Sequence, residues 1–255
     1  MKYDQVIDIV KSTKSIIFDE NLRKDVHLKG KADFVTAVDT GISNFIKTKL
    51  KELFPDYGFF SDEEESSLSD PCWILDPIDG TTNLVYGYRQ SSVSLGLYEN
   101  GEIVFGVVFN PYTDECFTAY KGHGSYMNGE KLSVSDRNLS DSIVEFGAGS
   151  TKKYNADENF DLAKKVFVNV VDIRRICSSA LSICYIAQGR IDGYFEKVLK
   201  PWDFAAGSLI LTEAGGVLSD YNGDPIKYDS PTTIIVGNKD VHKGLLNIIK
   251  DFYNA

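Results

Sequence analysis

Residues 73–83 read WILDPIDGTTN. Trp73, Ile74 and Leu75 make a short apolar run that reads as a strand and delivers Asp76 at its end. Pro77 fixes the turn, Asp79 follows, and Gly80, Thr81 and Thr82 open a short helix. Two carboxylates at this spacing on a tight turn can face one site and bridge hard cations. Mg²⁺ takes oxygen ligands and completes its shell with water and substrate phosphate. The carbonyl of Ile78 adds a further oxygen between the two carboxylates, and the N–H groups of Gly80 and Thr81 fall at a helix start, where phosphate binds readily. A plain strand-ending turn would use the same residues, since Asp-Pro and Asp-Gly are common turn formers. The Thr-Thr pair and the acidic segments elsewhere weigh against that simpler account.

Upstream, Tyr3, Val6, Ile7, Val10 and Ile17 fall on one face of an opening amphipathic helix. LKGKADF then reads as a mobile polar loop. Ile42, Phe45, Ile46, Leu50, Leu53 and Phe54 mark a second helix ended by Pro55. Downstream, VSLGLYE and EIVFGVVF flank Asn100-Gly101, a strong hairpin signal because both turn residues tolerate positive φ. ECFTAY and the turn KGHGSYMNG extend an antiparallel sheet. The second half alternates: DENFDLAKKVFV helix, VVDIRRI strand, SSALSICYIAQG helix with Gly189 after its end, IDGYFE strand, DFAAGSLILTEAGG helix closed by Gly215, TTIIVG strand, and a last helix from about Asp240. Strands with helices layered against them predict an α+β sandwich. A soft boundary near residue 140 divides it into an N-terminal half, 1–140, and a C-terminal half, 141–255.

Three other segments carry carboxylates. Asp62, Glu63, Glu64 and Glu65 form an acidic run that is either solvated surface or a strand end presenting Asp62 and Glu63 to the same cations. Thr36 and Asp39 in DFVTAVDT precede the second helix, where Asp39 or Thr40 would also serve as a cap. In KPWDFAAG, Asp203 either caps the following helix or joins the site, while Ala205, Ala206 and Gly207 indicate close backbone packing. The G-H-G at 122–124 and G-A-G at 147–149 lack a strand–GxGxxG–helix context and read as turns.

The 255 residues are 43% hydrophobic and 25% charged, the balance of a folded globular chain. A net charge of −10 argues against nucleic-acid binding, and a protein this acidic that handles a phosphate benefits from bound divalent metal. MKYDQVIDIVKSTK has no signal-peptide pattern, and no apolar run reaches the roughly 18–20 residues of a membrane span. Cys72, Cys116, Cys177 and Cys184 form no C-x-x-C pair and read as reduced thiols of a cytoplasmic protein. His27, His123 and His242 make no zinc pattern, so the chemistry falls to carboxylates, hydroxyls and backbone.

DPIDGTTN, the upstream VTAVD, the acidic pair and the downstream PWDFAAG together resemble the inositol monophosphatase family, part of a lithium-sensitive phosphatase superfamily. The resemblance runs from KGKADFVTAVD through GRIDGYFE to TEAGGVL. It implies a layered αβαβα sandwich of the sugar-phosphatase type, a homodimer and two to three Mg²⁺ ions. It also implies that Asp62, Asp76 and the Ile78 carbonyl hold one metal, and that Asp76, Asp79 and Asp203 hold a second. Glu63 supports a third through water. Thr81 and Asp39 match the pair that activates the attacking water, and Gly80 and Thr81 match the phosphate cradle. Glu196 and the turn Cys177-Ser178-Ser179 match contacts to the organic part of the substrate. Two departures stand out: Asp62 occupies a position usually held by Glu, so Glu63 or Glu64 could take its role, and Cys177 replaces a more usual glycine.

The implied reaction is in-line hydrolysis of a small phosphomonoester, inositol monophosphate or a related polyol or sugar phosphate. Fructose-1,6-bisphosphatase is an alternative that would need Lys200, Arg174 or Arg175 for a second phosphate. A 3'-phosphoadenosine-5'-phosphate phosphatase and a non-catalytic cation-binding regulatory protein are further alternatives.

Overall fold

The computed structural model describes residues 3–30, 33–63, 67–149 and 153–254. The opening periodicity predicts one helix, but three short ones form: α1 (Asp4–Ser12), α2 (Lys14–Ile17) and α3 (Glu20–Lys24). The second break comes at Asp19, whose carboxylate accepts the N–H groups of Asn21 and Leu22 at 2.8 and 3.2 Å and so starts a new helix. The segment expected to be a loop is instead paired. Strands β1 (Val26–Gly30) and β2 (Asp33–Thr36) run antiparallel with His27 opposite Val35, and only Lys31 and Ala32 lie outside the described residues. Helix α4 (Ala37–Leu53) follows.

The first large sheet takes its strands in the order β3-β4-β5-β6-β7-β8-β9. They are β3 (Gly58–Ser61), β4 (Cys72–Asp79), β5 (Ser92–Glu99), β6 (Glu102–Asn110), β7 (Glu115–Tyr120), β8 (Ser125–Met127) and β9 (Glu130–Lys131), with α5 (Thr81–Tyr86) between β4 and β5. Asn100 and Gly101 turn the β5–β6 hairpin at φ 57° and 84°, the left-handed pair that the Asn-Gly signal predicts.

The second sheet has the order β11-β10-β12-β14-β13. It comprises β10 (Ile143–Phe146), β11 (Asp172–Arg174), β12 (Gly193–Leu199), β13 (Val217–Ser219) and β14 (Thr232–Gly237). Its helices are α6 (Ala156–Phe167), α7 (Ser179–Ala187), α8 (Pro201–Glu213) and α9 (Lys239–Tyr253). The strand expected over VVDIRRI shrinks to the three residues of β11, at the sheet edge.

Strand pleating sorts side chains into three cores. Trp73, Leu75, Val93, Leu95, Leu97, Phe105 and Val107 join Val6, Val10, Ile42 and Ile46 beneath α1 and α4. Cys72, Ile74 and Val108, one step out of phase, face α7 and α8 together with Tyr194, Ile234 and Val236 of the second sheet. Val144, Phe146, Phe195 and Ile235 face α6 and α9. The layers are therefore α, β, α, β, α, with α7 and α8 between the sheets. The same period-2 rule puts Asp76, Glu145, Tyr194 and Glu196 on the inner faces, towards α7 and α8. No helix among the described residues is long and apolar enough to cross a membrane.

One glycine pair sets how closely α8 lies on the first sheet. Gly96 and Gly106 are directly opposite on β5 and β6, and a Cβ at Gly106 would sit 2.7 Å from the carbonyl oxygen of Ala206. Backbone meets backbone here, so neither side can yield. Gly106→Ala should cost about 1–3 kcal/mol, read as a lower urea midpoint at unchanged slope. An unshifted midpoint would mean that α8 has room to move.

Candidate active site

The strand β4 bends where it reaches its carboxylates. Asp76 pairs with Ser94 and Asp79 with Ser92, so three steps along β4 match two along β5. Pro77 has no N–H to give the ladder, and the resulting bulge turns Asp79 off the sheet while Asp76 stays on its inner face. Asp76 Oδ1 accepts the N–H of Ile78 at 3.0 Å, which stiffens the bend. Both carboxylates are buried, with 7% and 6% of their surface exposed.

Asp79 caps a helix that lies far away in the sequence. Its carboxylate accepts the N–H groups of Ser179 and Ala180 at 3.1 and 2.9 Å, the hydroxyl of Ser178, and the hydroxyl of Ser92 at 3.4 Å. It thereby satisfies the exposed donors at the start of α7. Asn83 reinforces the junction from the next turn, donating to the carbonyls of Gln90 and Ile176 at 2.6 and 2.7 Å.

Asp39 was expected as a possible cap, but the cap of α4 is Thr36. Asp39 is the third helical residue, and its Oδ2 accepts the Thr36 N–H at 2.8 Å and hydroxyl at 2.6 Å, which closes a capping box. Its other oxygen, Oδ1, faces Thr81 Oγ1 at 3.1 Å, and Thr81 Oγ1 also lies 3.0 Å from the Ile78 carbonyl. One hydroxyl proton serves these two acceptors. Asp203 holds the equivalent place in α8, accepting the Lys200 N–H at 2.8 Å.

Burial pushes the Asp39 carboxyl up to about 6. Burial, then the charges of Asp79, Asp203, Asp62 and Asp39, raises Asp76 well above the carboxylate range. Asp203 is raised by burial, then by Asp79. Asp79 is raised by burial and drawn back by its four donors. Lys200 brings a cation to the edge of the group: its Nζ lies 2.7 Å from Asp62 Oδ1, and its charge also sits over the Trp202 ring. Among the described residues no three acidic, imidazole or thiol groups converge as a ready-made cage. The donor set is nevertheless one for a hard cation: carboxylate and carbonyl oxygens, buried, mutually repelling, with no thiolate or imidazole among them.

A cavity of about 240 Å³ opens in front of this cluster, between β10, β12 and the starts of α7 and α8. Asp62, Asp203, Cys177, Ser178, Ser179 and Glu196 line it. Asp39, Asp76, Ile78, Asp79, Gly80 and Thr81 stand behind, joined to it through the Asp79–Ser178 contact. Glu63 is half-buried, and its charge contributes to raising Asp39; Glu64 lies outside the described residues.

Glu196 accepts the Tyr194 hydroxyl and the Gly149 N–H, the latter at 3.2 Å. Its carboxylate takes up the space a Cβ at Gly147 would need, 1.9 Å away. That requirement accounts for Gly147 in the G-A-G stretch, which continues from β10 as irregular chain rather than the expected turn. Cys177 has a left-handed backbone, φ 58°, a conformation that favours glycine, and is exposed at the cavity lip.

Sequence reasoning missed several residues that matter here: Lys200 as the partner of Asp62, Asn83, Tyr194 and Glu145. Only Glu145 leaves a trace in the sequence, a lone charge inside the apolar strand IVEF. It accepts the Ser182 hydroxyl on the inner face, and burial raises its carboxyl to about 7. The folded protein thus binds a proton that the unfolded chain releases near 4.5, so this contribution to stability is present at low pH and is lost as pH rises through about 7. Glu145→Gln should flatten that fall and gain roughly 1–3 kcal/mol at pH 8. Denaturation midpoints for both proteins from pH 5 to 8 would test this, and parallel curves would contradict it.

The chain matches the inositol monophosphatase family over residues 3–253. It is 38% identical over 250 residues to an inositol-1-monophosphatase of Rhizobium meliloti (strain 1021), covering 95% of this chain and 93% of that one. It is 37% identical to the Nus factor SuhB of Escherichia coli (strain K12), covering 88% and 85%. The solved Thermotoga maritima IMPase superposes with a TM-score of 0.90 at 30% identity, covering 98% and 97%. With a shared fold and most of the chain aligned, this protein belongs to the inositol monophosphatase family and is a phosphoric monoester hydrolase.

Proposed function

We propose that the protein is a Mg²⁺-dependent phosphatase of small polyol or sugar monophosphates, inositol monophosphate first among them. The observation that carries this reading is the contact of Thr81 with Asp39 beside buried carboxylates whose charges raise one another. Asp62, Asp76 and the Ile78 carbonyl would hold one ion and Asp76, Asp79 and Asp203 a second, with Glu63 assisting a third through water. Residues 1–140 then supply most of the ligands, and residues 141–255 supply Glu196 and Asp203. Divalent cations held there would make water a stronger acid and would offset charge on the phosphoryl oxygens.

The remaining work falls to the chain itself. When the Thr81 hydroxyl donates its hydrogen bond to Asp39, its oxygen lone pairs are left to accept from a water and orient it. Gly80 and Thr81 present N–H groups to the phosphoryl oxygens. Glu196, fixed by Tyr194 and Gly149, keeps lone pairs for the hydroxyls of a polyol, and Ser178 and Ser179 border the same space. Lithium inhibition and a homodimer belong to this reading as well.

A bisphosphate substrate is less well served. Arg174 pairs with Asp172, and Lys200 pairs with Asp62, which leaves Arg175 on the cavity wall as the group for a second phosphate. The name of the Escherichia coli relative, a Nus factor, favours a second reading as a regulatory protein. Phosphate release from inositol-1-phosphate, fructose-1,6-bisphosphate and adenosine 3',5'-bisphosphate, with and without Mg²⁺, separates these readings. We expect Mg²⁺-dependent turnover, fastest with the polyol monophosphate, and a loss of at least about 100-fold in Asp203→Asn and Asp79→Asn. Asp203→Asn is the cleaner variant, because Asp79 also caps α7. No turnover with any ester would put the regulatory reading first.

A further inference from the structure

In a chain where 37 acidic residues outnumber 27 basic ones, an arginine without a carboxylate partner stands out. Arg137, Arg174 and Arg190 pair with Asp192, Asp172 and Glu115. Arg175 lies over the rings of Phe146 and Phe160. Arg23 and Arg89 are left, and neither makes an ion pair or side-chain hydrogen bond among the described residues. Both line one cavity of about 370 Å³, together with Phe18, Gly87 and Tyr112.

Tyr112 makes the cavity more than a gap between charges. Its hydroxyl oxygen is buried and has no hydrogen-bond partner, whereas buried hydroxyls are normally paired. Its ring is held edge-on to Phe18 with centroids 5.3 Å apart, and its own N–H is tied to Asn110 Oδ1 at 3.0 Å. Burial makes the phenol harder to ionise, and both guanidinium charges reach it and oppose that effect. Three separate segments therefore converge: α3 brings Arg23, the turn after α5 brings Arg89, and the β6–β7 turn brings Tyr112.

We propose that Arg23, Arg89 and Tyr112 form a second anion site, separate from the catalytic cavity, that binds the phosphoryl group of a small molecule. Guanidinium forks match oxyanions. Two forks and a hydroxyl arriving from three segments present donors in more than one plane, which suits a tetrahedral phosphoryl group better than a flat carboxylate. The volume falls within the range of small-ligand sites. Gly87 closes α5, so the bound anion would grip one end of the helix whose other end carries Thr81, about 9 Å away along its axis.

The test is calorimetric titration of the protein in EDTA with inorganic phosphate, pyrophosphate and citrate. Pyrophosphate should bind more tightly than citrate. Arg23→Gln and Arg89→Gln should each weaken it by about tenfold, and Tyr112→Phe, which keeps the ring packing, by several-fold. Arg175→Gln, in the other cavity, should leave the Arg89-dependent part of the binding in place. Absence of binding, or equal affinity in Arg89→Gln and Tyr112→Phe, overturns the proposal. So does loss of binding in Arg175→Gln alone, which would place the anion in the catalytic cavity. Unchanged binding with altered sedimentation of Arg89→Gln would assign the guanidiniums to an interface between copies.

Discussion

The site depends on one carboxylate that serves two parts of the chain. Asp79 leaves the end of β4 and takes up the donors at the start of α7, about a hundred residues further on. Without it those N–H groups would face a buried, acidic interior unpaired, at a cost of about 1–3 kcal/mol for a single group. With it, the first sheet is pinned to the helix that lines the candidate cavity. Asn83 makes the same junction from the backbone side, so two consecutive turns of one motif hold Ile176 and the residues after it in place.

Close packing supplies the other half of the geometry. The facing glycines of β5 and β6 let α8 approach until its backbone touches the sheet, and Asp203 rides on the first turn of that helix. Strand pleating then brings Asp76, Glu145, Tyr194 and Glu196 to the same interior layer. A chain of net charge −10 has gathered carboxylates where water is scarce. Such an arrangement is unfavourable unless protons or cations compensate it. The acid-raising pressure on Asp76, Asp203 and Asp39 and the reach of Lys200 towards Asp62 are two expressions of that constraint.

Much of this was legible in the sequence, because much of it is local. Period-2 runs, the Asn-Gly turn and the bounds of β14 follow from patterns a few residues long, whereas α4 starts early enough to include Asp39 and α8 starts at Pro201, ahead of Asp203. WILDPIDGTTN carries its own bulge and helix start. The misses have a common cause. Whether Asp79 is a ligand, a cap or both depends on what stands beyond it in space, and no local pattern records that α7 arrives there. The pairing of Lys200 with Asp62 and the glycine contact with Ala206 are likewise contacts between distant segments. The split of the first helix was missed for another reason: Asp19 offers a better start to a new helix than a continuation of the old one.

The central claim is that these carboxylates form a binding place for divalent cations. Calorimetric titration of the free protein with Mg²⁺, compared with Asp203→Asn, tests it without any substrate. The account predicts two or more ions bound by the native protein and at least one fewer, or one bound far more weakly, by the variant. Failure of the native protein to bind Mg²⁺, or identical titrations of the two proteins, would contradict it.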